Sequence, residues 1–414
     1  MALSTSQQAS PVTDPAFSAD PALLAQALAA LESRRDPSGR SLPTAIPDAP
    51  WETSDILGLM ADLLLHQASD LGHGAAFAHM DPPTPAVSWV TSLWAASRNQ
   101  NLLHPATAPA GIDLEAQVIA WLAPAFGMGG GHMTPGSTPA NITALWAARK
   151  LKGVRRVLAS AAAHVSIPKA ADLLGLAFEP LPCDRLGRIL TDALPQDLSD
   201  AALVLTAGHT STGALDDLSL TGRAAWTHVD AAWAGPLRLT KRWAGVLDGI
   251  EGADSVAVSA HKWLFQPKES ALVLFRQAER AHEALSFGGA YLARPNVGLL
   301  GSHGVTAAGN LAASLLAFGR QGLESRLGDA MEKAGRFAAA VEANSALELL
   351  CQPVTGVVVW RPRNPDRFEA VADQLPAGMS SRTRIEGEPW FRNVAANPNL
   401  EIEPLLGLIS GLEA

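Results

Sequence analysis

Apolar and polar positions follow two different periods along this chain. From Ile112 to about Ala281, short apolar runs near Val154, Phe178, Leu203, Trp226, Val256 and Val273 are separated by stretches with helical spacing. That alternation predicts a mostly parallel sheet covered on both faces. Ahead of it, Pro21 to Arg35 places Leu23, Leu24, Ala27 and Leu31 on one helical face, Pro43 to Pro50 reads as a linker, and Ser54 to Gln67 reads as a second amphipathic helix. Thr138 as N-cap, Pro139 at the first helical position and Gly153 as stop predict a helix to about Lys152. His164 opens another helix after the strand Val154 to Ala159. Beyond Ala307, a long helix through Gly319 precedes strands at Leu347 to Leu350, Val354 to Trp360 and Phe391 to Ala395, which suits a small α+β unit. The expected organisation is a helical segment over 1–68, loose in its Ala-, Ser- and Pro-rich first 20 or so residues, a large domain over 69–306 and a small domain over 307–414.

Composition narrows the function classes. With 414 residues, 48% of them hydrophobic, the chain can bury a large core. A net charge of −9 without a basic block argues against nucleic acid or an anionic membrane as partner, and no apolar run reaches transmembrane length. Arg34 is the first basic residue, so a charged secretion-signal start is not expected. Cys183 and Cys351 are isolated, which fits neither a metal pattern nor a disulfide framework and suits a reducing cytoplasm; no metal is expected.

The candidate chemistry centres on Lys262. It closes the run Ser255-Val-Ala-Val-Ser-Ala-His261-Lys262-Trp263, where apolar neighbours would depress the amine and leave it able to attack a carbonyl as a Schiff-base nucleophile. Taken alone, a lysine after an apolar strand is usually an ordinary paired charge. Its company changes the reading. Asp230 ends the strand-like Ala225-Trp-Thr-His228-Val-Asp230, placed to hold a proton on a pyridine nitrogen. Gly136-Ser137-Thr138 precedes a helix whose free N–H groups and hydroxyls make a phosphate cradle. His164 offers a flat imidazole for stacking, and the strand through Thr206 runs into a hydroxyl-rich turn ending at Gly213, where α/β sheets place ligands.

In this order and spacing, His261-Lys262-Trp263, His228-Val-Asp230-Ala-Ala232-Trp-Ala-Gly and Thr206-Ala-Gly-His-Thr210-Ser-Thr-Gly213 resemble the motifs of the group II pyridoxal-phosphate-dependent amino acid decarboxylases, the aromatic amino acid and glutamate decarboxylase group. The resemblance runs from about residue 70 to the C-terminus. It implies an α/β fold of the aspartate aminotransferase-like type (fold type I), with a seven-stranded, mostly parallel sheet in the large domain. The activity implied is conversion of an L-amino acid to its amine and carbon dioxide. Position by position, Lys262 would carry pyridoxal 5'-phosphate covalently, Asp230 would pair with the ring nitrogen and His164 would stack on the ring. Gly136, Ser137, Thr138 and His261 would hold the phosphate, while Thr206 and Ala232 would line the ring. Tyr291, the single tyrosine, matches the mobile-loop residue that protonates the carbon once carbon dioxide leaves. Arg392 resembles the arginine that binds the substrate carboxylate, His79 and Asp81 the side-chain pocket, and Leu103 a stretch contributed across a dimer interface. The family builds shared active sites in a homodimer, so Tyr291 and Ser302 would serve the neighbouring subunit's site, and the two N-terminal helices would clasp that subunit.

Departures from the pattern are local. The segment after Tyr291 is shorter than the family's flexible loop, His209 stands where a small hydroxyl residue is common, and Pro139 replaces a frequent acidic residue. The substrate stays open among aromatic, acidic and diamino acids. Rival readings are an aldehyde-forming oxidative decarboxylase, an aminotransferase or a carbon–carbon lyase on the same fold, and a non-enzymatic binding protein. Tyr291 weighs against the aldehyde route, because proton delivery commits the product to an amine.

Overall fold

The structure, a computed structural model, describes residues 18–33, 36–292 and 296–413. Most of the loose segment expected at the start, together with Arg34 and Arg35, lies outside these residues. The chain divides into two compact units, Met1–Asp70 and Leu71–Ala414.

In the first unit, α1 (Pro21–Glu32) starts at Asp20, whose carboxylate accepts from the Ala22 and Leu23 N–H groups, and it buries none of its residues. Helix α2 (Thr53–Ala61) widens into a π turn over Asp62–His66, so the second expected helix is present with a looser last turn. The Asp62 carboxylate accepts from Ser38 N at 2.7 Å and Gln67 Nε2 at 2.9 Å, and these bonds lower its pKa to about 2. They tie the preceding loop to the helix.

In the second unit, α3 (Ala86–Arg98) and α4 (Gly111–Leu122) lead into the main sheet. Its elements are β1 (Gly130–Thr134), α5 (Ser137–Lys152), β2 (Arg156–Ser160), α6 (Ser166–Leu173), β3 (Ala177–Leu181), β4 (Ala201–Thr206), β5 (Trp226–Asp230), β6 (Ser255–Ser259) and β7 (Ala271–Phe275). The strand order is β1-β7-β6-β5-β4-β2-β3. Strands β2 to β6 are parallel, and β7 and β1 are antiparallel additions at one side. Every residue of β4, β5, β6 and β7 is buried, as a sheet covered on both faces requires. All six apolar runs became strands of this sheet; β1, its seventh, carries glycine where the others carry apolar side chains. The glycine is needed: a Cβ on Gly131 would sit on the Val273 carbonyl oxygen of the paired strand.

Two helix starts differ from expectation. Helix α5 begins at Ser137, because Gly136 at φ 119° makes the turn, and Thr138 lies inside the first turn instead of capping it. Helix α6 begins at Ser166, which leaves His164 in the preceding turn.

After α7 (Ala278–Ala284) and the short pair β8 (Ser286–Phe287) and β9 (Asn296–Val297), α8 spans Thr306–Ala343. The expected end at Gly319 is a break, with φ 58° and ψ −177°, after which the helix resumes. The C-terminal part forms a second sheet, order β10-β11-β13-β12, from β10 (Leu347–Leu349), β11 (Val357–Pro362), β12 (Ser381–Ile385) and β13 (Glu388–Val394). Helices α9 (Phe368–Ala372) and α10 (Ile402–Gly411) accompany it. Strand β12 leaves no apolar pattern in the sequence because it is an edge strand with exposed Arg382 and Arg384.

Candidate active site

The parallel strands deliver the candidate residues to one edge of the sheet. Asp230 is the last residue of β5, and its register partner on β4 is Thr206. On the other side β5 pairs with β6, and Lys262 follows three residues after Ser259. His164 comes four residues after the end of β2. These are the carboxyl ends of neighbouring parallel strands, the edge where side chains from separate loops converge.

Asp230 is 5% exposed; its Oδ2 accepts from Asn141 Nδ2 at 3.0 Å and its Oδ1 from Ala232 N at 3.2 Å. Lys262 is held in a turn in which its carbonyl accepts from Phe265 N at 3.0 Å, with the fully buried Trp263 beside it. Burial pushes the Lys262 ammonium below its ordinary range; Asp230 and Asp81 oppose that shift, while Lys268 and Arg392 add to it. The lysine therefore lies in the field of every one of those charges. His164 is exposed as a residue, but partial desolvation of its ring lowers it too, with Asp230 opposing and Lys262 and Lys169 reinforcing.

Around Gly136, the first turn of α5 meets the β6–β7 turn. Ser137 Oγ hydrogen-bonds Ser259 Oγ, and a Cβ on Gly136 would come within 3.9 Å of the His261 ring. Burial lowers the His261 pKa to about 4, so the imidazole is neutral at pH 7. Among the described residues, the buried Thr206 Oγ1, His261 Nδ1 and Ser270 Oγ at this edge have no hydrogen-bond partner. Buried polar atoms are normally paired, so these await a ligand or water.

Arg392, on β13, donates through Nη1 to Thr210 O at 2.7 Å, through Nη2 to Ala78 O at 3.3 Å and through Nε to Ser381 Oγ at 3.2 Å. Burial lowers its pKa and Asp81 raises it. Asp81 is ion-paired with Lys268, and His79 is exposed next to Ala78. The structure thus brings Arg392, His79 and Asp81 to one neighbourhood, together with Lys268. It does not bring Leu103, Tyr291 or Ser302 there within one chain. Leu103 lines a separate cavity of about 270 Å³ with Glu115, His132, His282 and His303. Tyr291 is 74% exposed with its ring 6.4 Å from that of His104, and Ser302 is exposed ahead of α8. The buried His209 faces Asp216 at 3.4 Å, under the strand-end turn.

The pyridoxal-dependent decarboxylase conserved domain matches residues 37–363. The chain belongs to the pyridoxal-dependent decarboxylase family. It is 27% identical to aspartate 1-decarboxylase of Aliivibrio fischeri over 86% of this chain and 82% of that one. It is 30% identical to L-2,4-diaminobutyrate decarboxylase of Rhizobium meliloti over 81% of this chain and 76% of that one. Among solved structures, the Oryza sativa TDC with PLP and tryptamine superposes with a TM-score of 0.84 at 18% identity, covering 97% of this chain and 98% of that one. The fold is accordingly that of fold type I, and the chain is a pyridoxal-phosphate-dependent carboxy-lyase that acts on an L-amino acid.

The residues present suit the decarboxylase cofactor: the unpartnered Thr206, His261 and Ser270 atoms offer polar contacts for a ring and its phosphate, and the Gly136 turn leaves room beside them. Reading the sequence missed Ser259, Ser270 and Lys268, and it missed Asn141, Ser166, His228 and Ser255, which bond to one another beneath Asp230. One signal was available. His228 and Asp230 are two apart on a strand and share a face. An asparagine inside an alanine-rich helix is costly unless its amide is used.

Proposed function

We propose that Lys262 carries pyridoxal phosphate as a Schiff base, that Asp230 pairs with the ring nitrogen and that His164 lies on the ring face. Gly136, Ser137, Thr138 and His261 hold the phosphate, with Ser259 and Ser270 added to that cradle; Thr206 and Ala232 line the ring. The observation that carries this reading is a depressed lysine and a buried carboxylate on adjacent strand ends, within each other's field. The chemistry supplied there by the bound cofactor is an electron sink for the pair released with carbon dioxide. Burial favours the neutral, nucleophilic form of the lysine, and the carboxylate keeps the ring nitrogen protonated. Arg392 has five N–H groups, of which three are engaged, leaving two for the substrate carboxylate. That arginine lies beyond the matched residues 37–363, and its assignment rests on its place on β13 and on these N–H groups.

The substrate class we favour is a short amino acid with a charged side chain. Asp81, Lys268 and Arg392 make the neighbourhood of Lys262 polar, and the relatives named above act on aspartate and 2,4-diaminobutyrate. We infer a homodimer in which Tyr291 and Ser302 complete the neighbouring subunit's site and Tyr291 returns the proton to carbon. Exposed Trp89, Val90, Leu93 and Trp94 on α3 supply an apolar contact face, and unburied α1 is available as the clasp. The free Cys183 and Cys351 suit the cytoplasm, and among the described residues no helix is long and apolar enough to cross a membrane. The test is to incubate the cofactor-loaded protein with aspartate, 2,4-diaminobutyrate, glutamate and the aromatic amino acids, measuring amines by mass spectrometry and carbon dioxide in parallel. One amine matched by carbon dioxide supports the reading and names the substrate; a keto acid or aldehyde in place of the amine overturns the roles assigned to Tyr291 and Arg392.

A further inference from the structure

Beneath Asp230 runs a set of buried polar side chains whose donors and acceptors can be assigned without ambiguity. Asn141, His228 and Ser255 are fully buried, Ser166 is 1% exposed and Trp226 4%. Asn141 is the junction. Its amide contacts Asp230 Oδ2 at 3.0 Å, Ser166 Oγ at 2.9 Å and His228 Nε2 at 2.9 Å. A carboxylate oxygen offers only acceptors, so the –NH2 end must face Asp230, and its second hydrogen goes to Ser166 Oγ. The amide oxygen then faces His228 Nε2, which must carry the hydrogen.

His228 is fully buried, and desolvation lowers its pKa to about 4, so it is neutral and its Nδ1 is bare. Nδ1 accordingly accepts from Ser255 Oγ at 2.9 Å, and Ser255 Oγ in turn accepts from the Trp226 indole N–H, a group that can only donate, at 2.9 Å. On the far side, Ser166 Oγ has accepted from Asn141 and has its own hydrogen left to give. It lies 2.8 Å from His164 Nδ1, which also accepts the Ser166 backbone N–H at 3.2 Å. Every bond points the same way, from Trp226 through Ser255, His228 and Asn141 to two ends, the carboxylate of Asp230 and the bare Nδ1 of His164.

We propose that Asn141 is a positioning residue of the decarboxylation site: it joins the carboxylate that faces the ring nitrogen to the imidazole that faces the ring, and it fixes the His164 proton on Nε2. This rests on the reading that Asp230 and His164 meet the cofactor. The relay explains why an asparagine is spent inside α5 and why a histidine is buried two residues before the carboxylate. One device orients two groups that come from different strands, β5 and the loop after β2. His164 is thereby held with Nδ1 tied down and Nε2–H as its single free donor.

The test reads proton positions in the chain itself. In the full-length protein labelled with nitrogen-15 histidine, with and without pyridoxal phosphate, His164 and His228 are assigned from His164→Gln and His228→Gln spectra. Both are expected as the Nε2–H form in both states; a hydrogen on Nδ1 of either overturns the proposal. Asn141→Leu, a similar volume without donors, is expected to weaken pyridoxal phosphate binding at least tenfold in equilibrium dialysis and to release His164 into a mixture of tautomers. Binding and His164 signals unchanged in a folded Asn141→Leu protein would also overturn it, and if that variant fails to fold, the wild-type proton positions decide alone. Lys262→Ala separates the two levels: retention of the Schiff-base absorbance in that variant defeats the site reading, whereas its loss together with a normal Asn141→Leu protein defeats only the role of Asn141.

Discussion

Replacing Asp230 by asparagine changes one atom and tests the centre of the site. In the native protein the two carboxylate oxygens accept from Asn141 Nδ2 at 3.0 Å and Ala232 N at 3.2 Å. An amide has one acceptor and one donor end, so whichever way it is turned, a donor meets a donor. With Asp230 5% exposed, water cannot absorb that conflict, and an unsatisfied buried polar group costs about 1–3 kcal/mol of stability. In the proposed site a second loss falls on the cofactor, whose protonated ring nitrogen would exchange a charge-assisted bond for a neutral one; the difference of about 1–1.5 kcal/mol weakens binding roughly 5- to 13-fold. Turnover should fall further than binding, since the ring accepts electrons poorly without its proton. Urea unfolding gives the first quantity, equilibrium dialysis against pyridoxal phosphate the second and amine release at saturating cofactor the third. An Asp230→Asn protein with cofactor affinity and turnover close to wild type would refute the assignment of Asp230 and the donor assignment of Asn141 together.

Acid should destabilise the fold before carboxylates titrate. His132 and His228 are buried with pKa values of about 4, against 6.5 when exposed, so the unfolded chain binds protons that the native one refuses as pH falls from 6.5 through 4. Between pH 7 and 5 that difference costs about 2 kcal/mol for each; His303, raised by Glu115, gains stability over the same range and offsets part of it. Urea midpoints equal at the two pH values would contradict these environments. Gly131→Ala drives a methyl group into the Val273 carbonyl of β7 and should lower stability by about 3 kcal/mol or more, read as a fall in melting temperature; an unchanged melting curve would show that β1 does not pair as described. Mixing inactive Lys262→Ala with Tyr291→Phe subunits should restore about a quarter of the amine-forming activity if sites are shared across a two-fold interface, and nothing if each chain is self-sufficient.

Legibility followed burial. The strands β4 to β7 are buried on both faces, and so their apolar residues stand out as runs; β1 and β12 owe their place to a neighbour's backbone and to an edge, and neither leaves an apolar signature. Gly319 was visible as a helix end but not as an interruption, because what lets α8 resume is the packing of Leu323, Leu327 and Met331 into the core. At the proposed site, Lys262, Asp230 and His164 stand out in the sequence because their motifs are short and contiguous. Asn141, Ser166 and Ser255 do not, because each has an ordinary role as a helix or strand residue and acquires another only when α5, α6 and β6 meet behind β5.

The register of the chemistry depends on residues that perform none. Trp263 follows Lys262 and Trp233 lies three residues after Asp230; their rings stack with centroids 4.1 Å apart. The Trp233 indole donates to Thr355 O at 2.7 Å and the Trp263 indole to Ala395 O at 3.0 Å, just before β11 and just after β13. Both strand ends that carry the lysine and the carboxylate are thus fastened to the second sheet. Arg392, proposed to bind the substrate carboxylate, sits on β13 of that same sheet, three residues from the Trp263 anchor. A displacement of the C-terminal sheet would therefore move Arg392 and strain the Lys262 turn at once. With the proposed roles, substrate binding at Arg392 and bond breaking near Lys262 would be held to one geometry by two buried indoles, which accounts for tryptophan at both positions where a smaller apolar residue would fill space but could not donate.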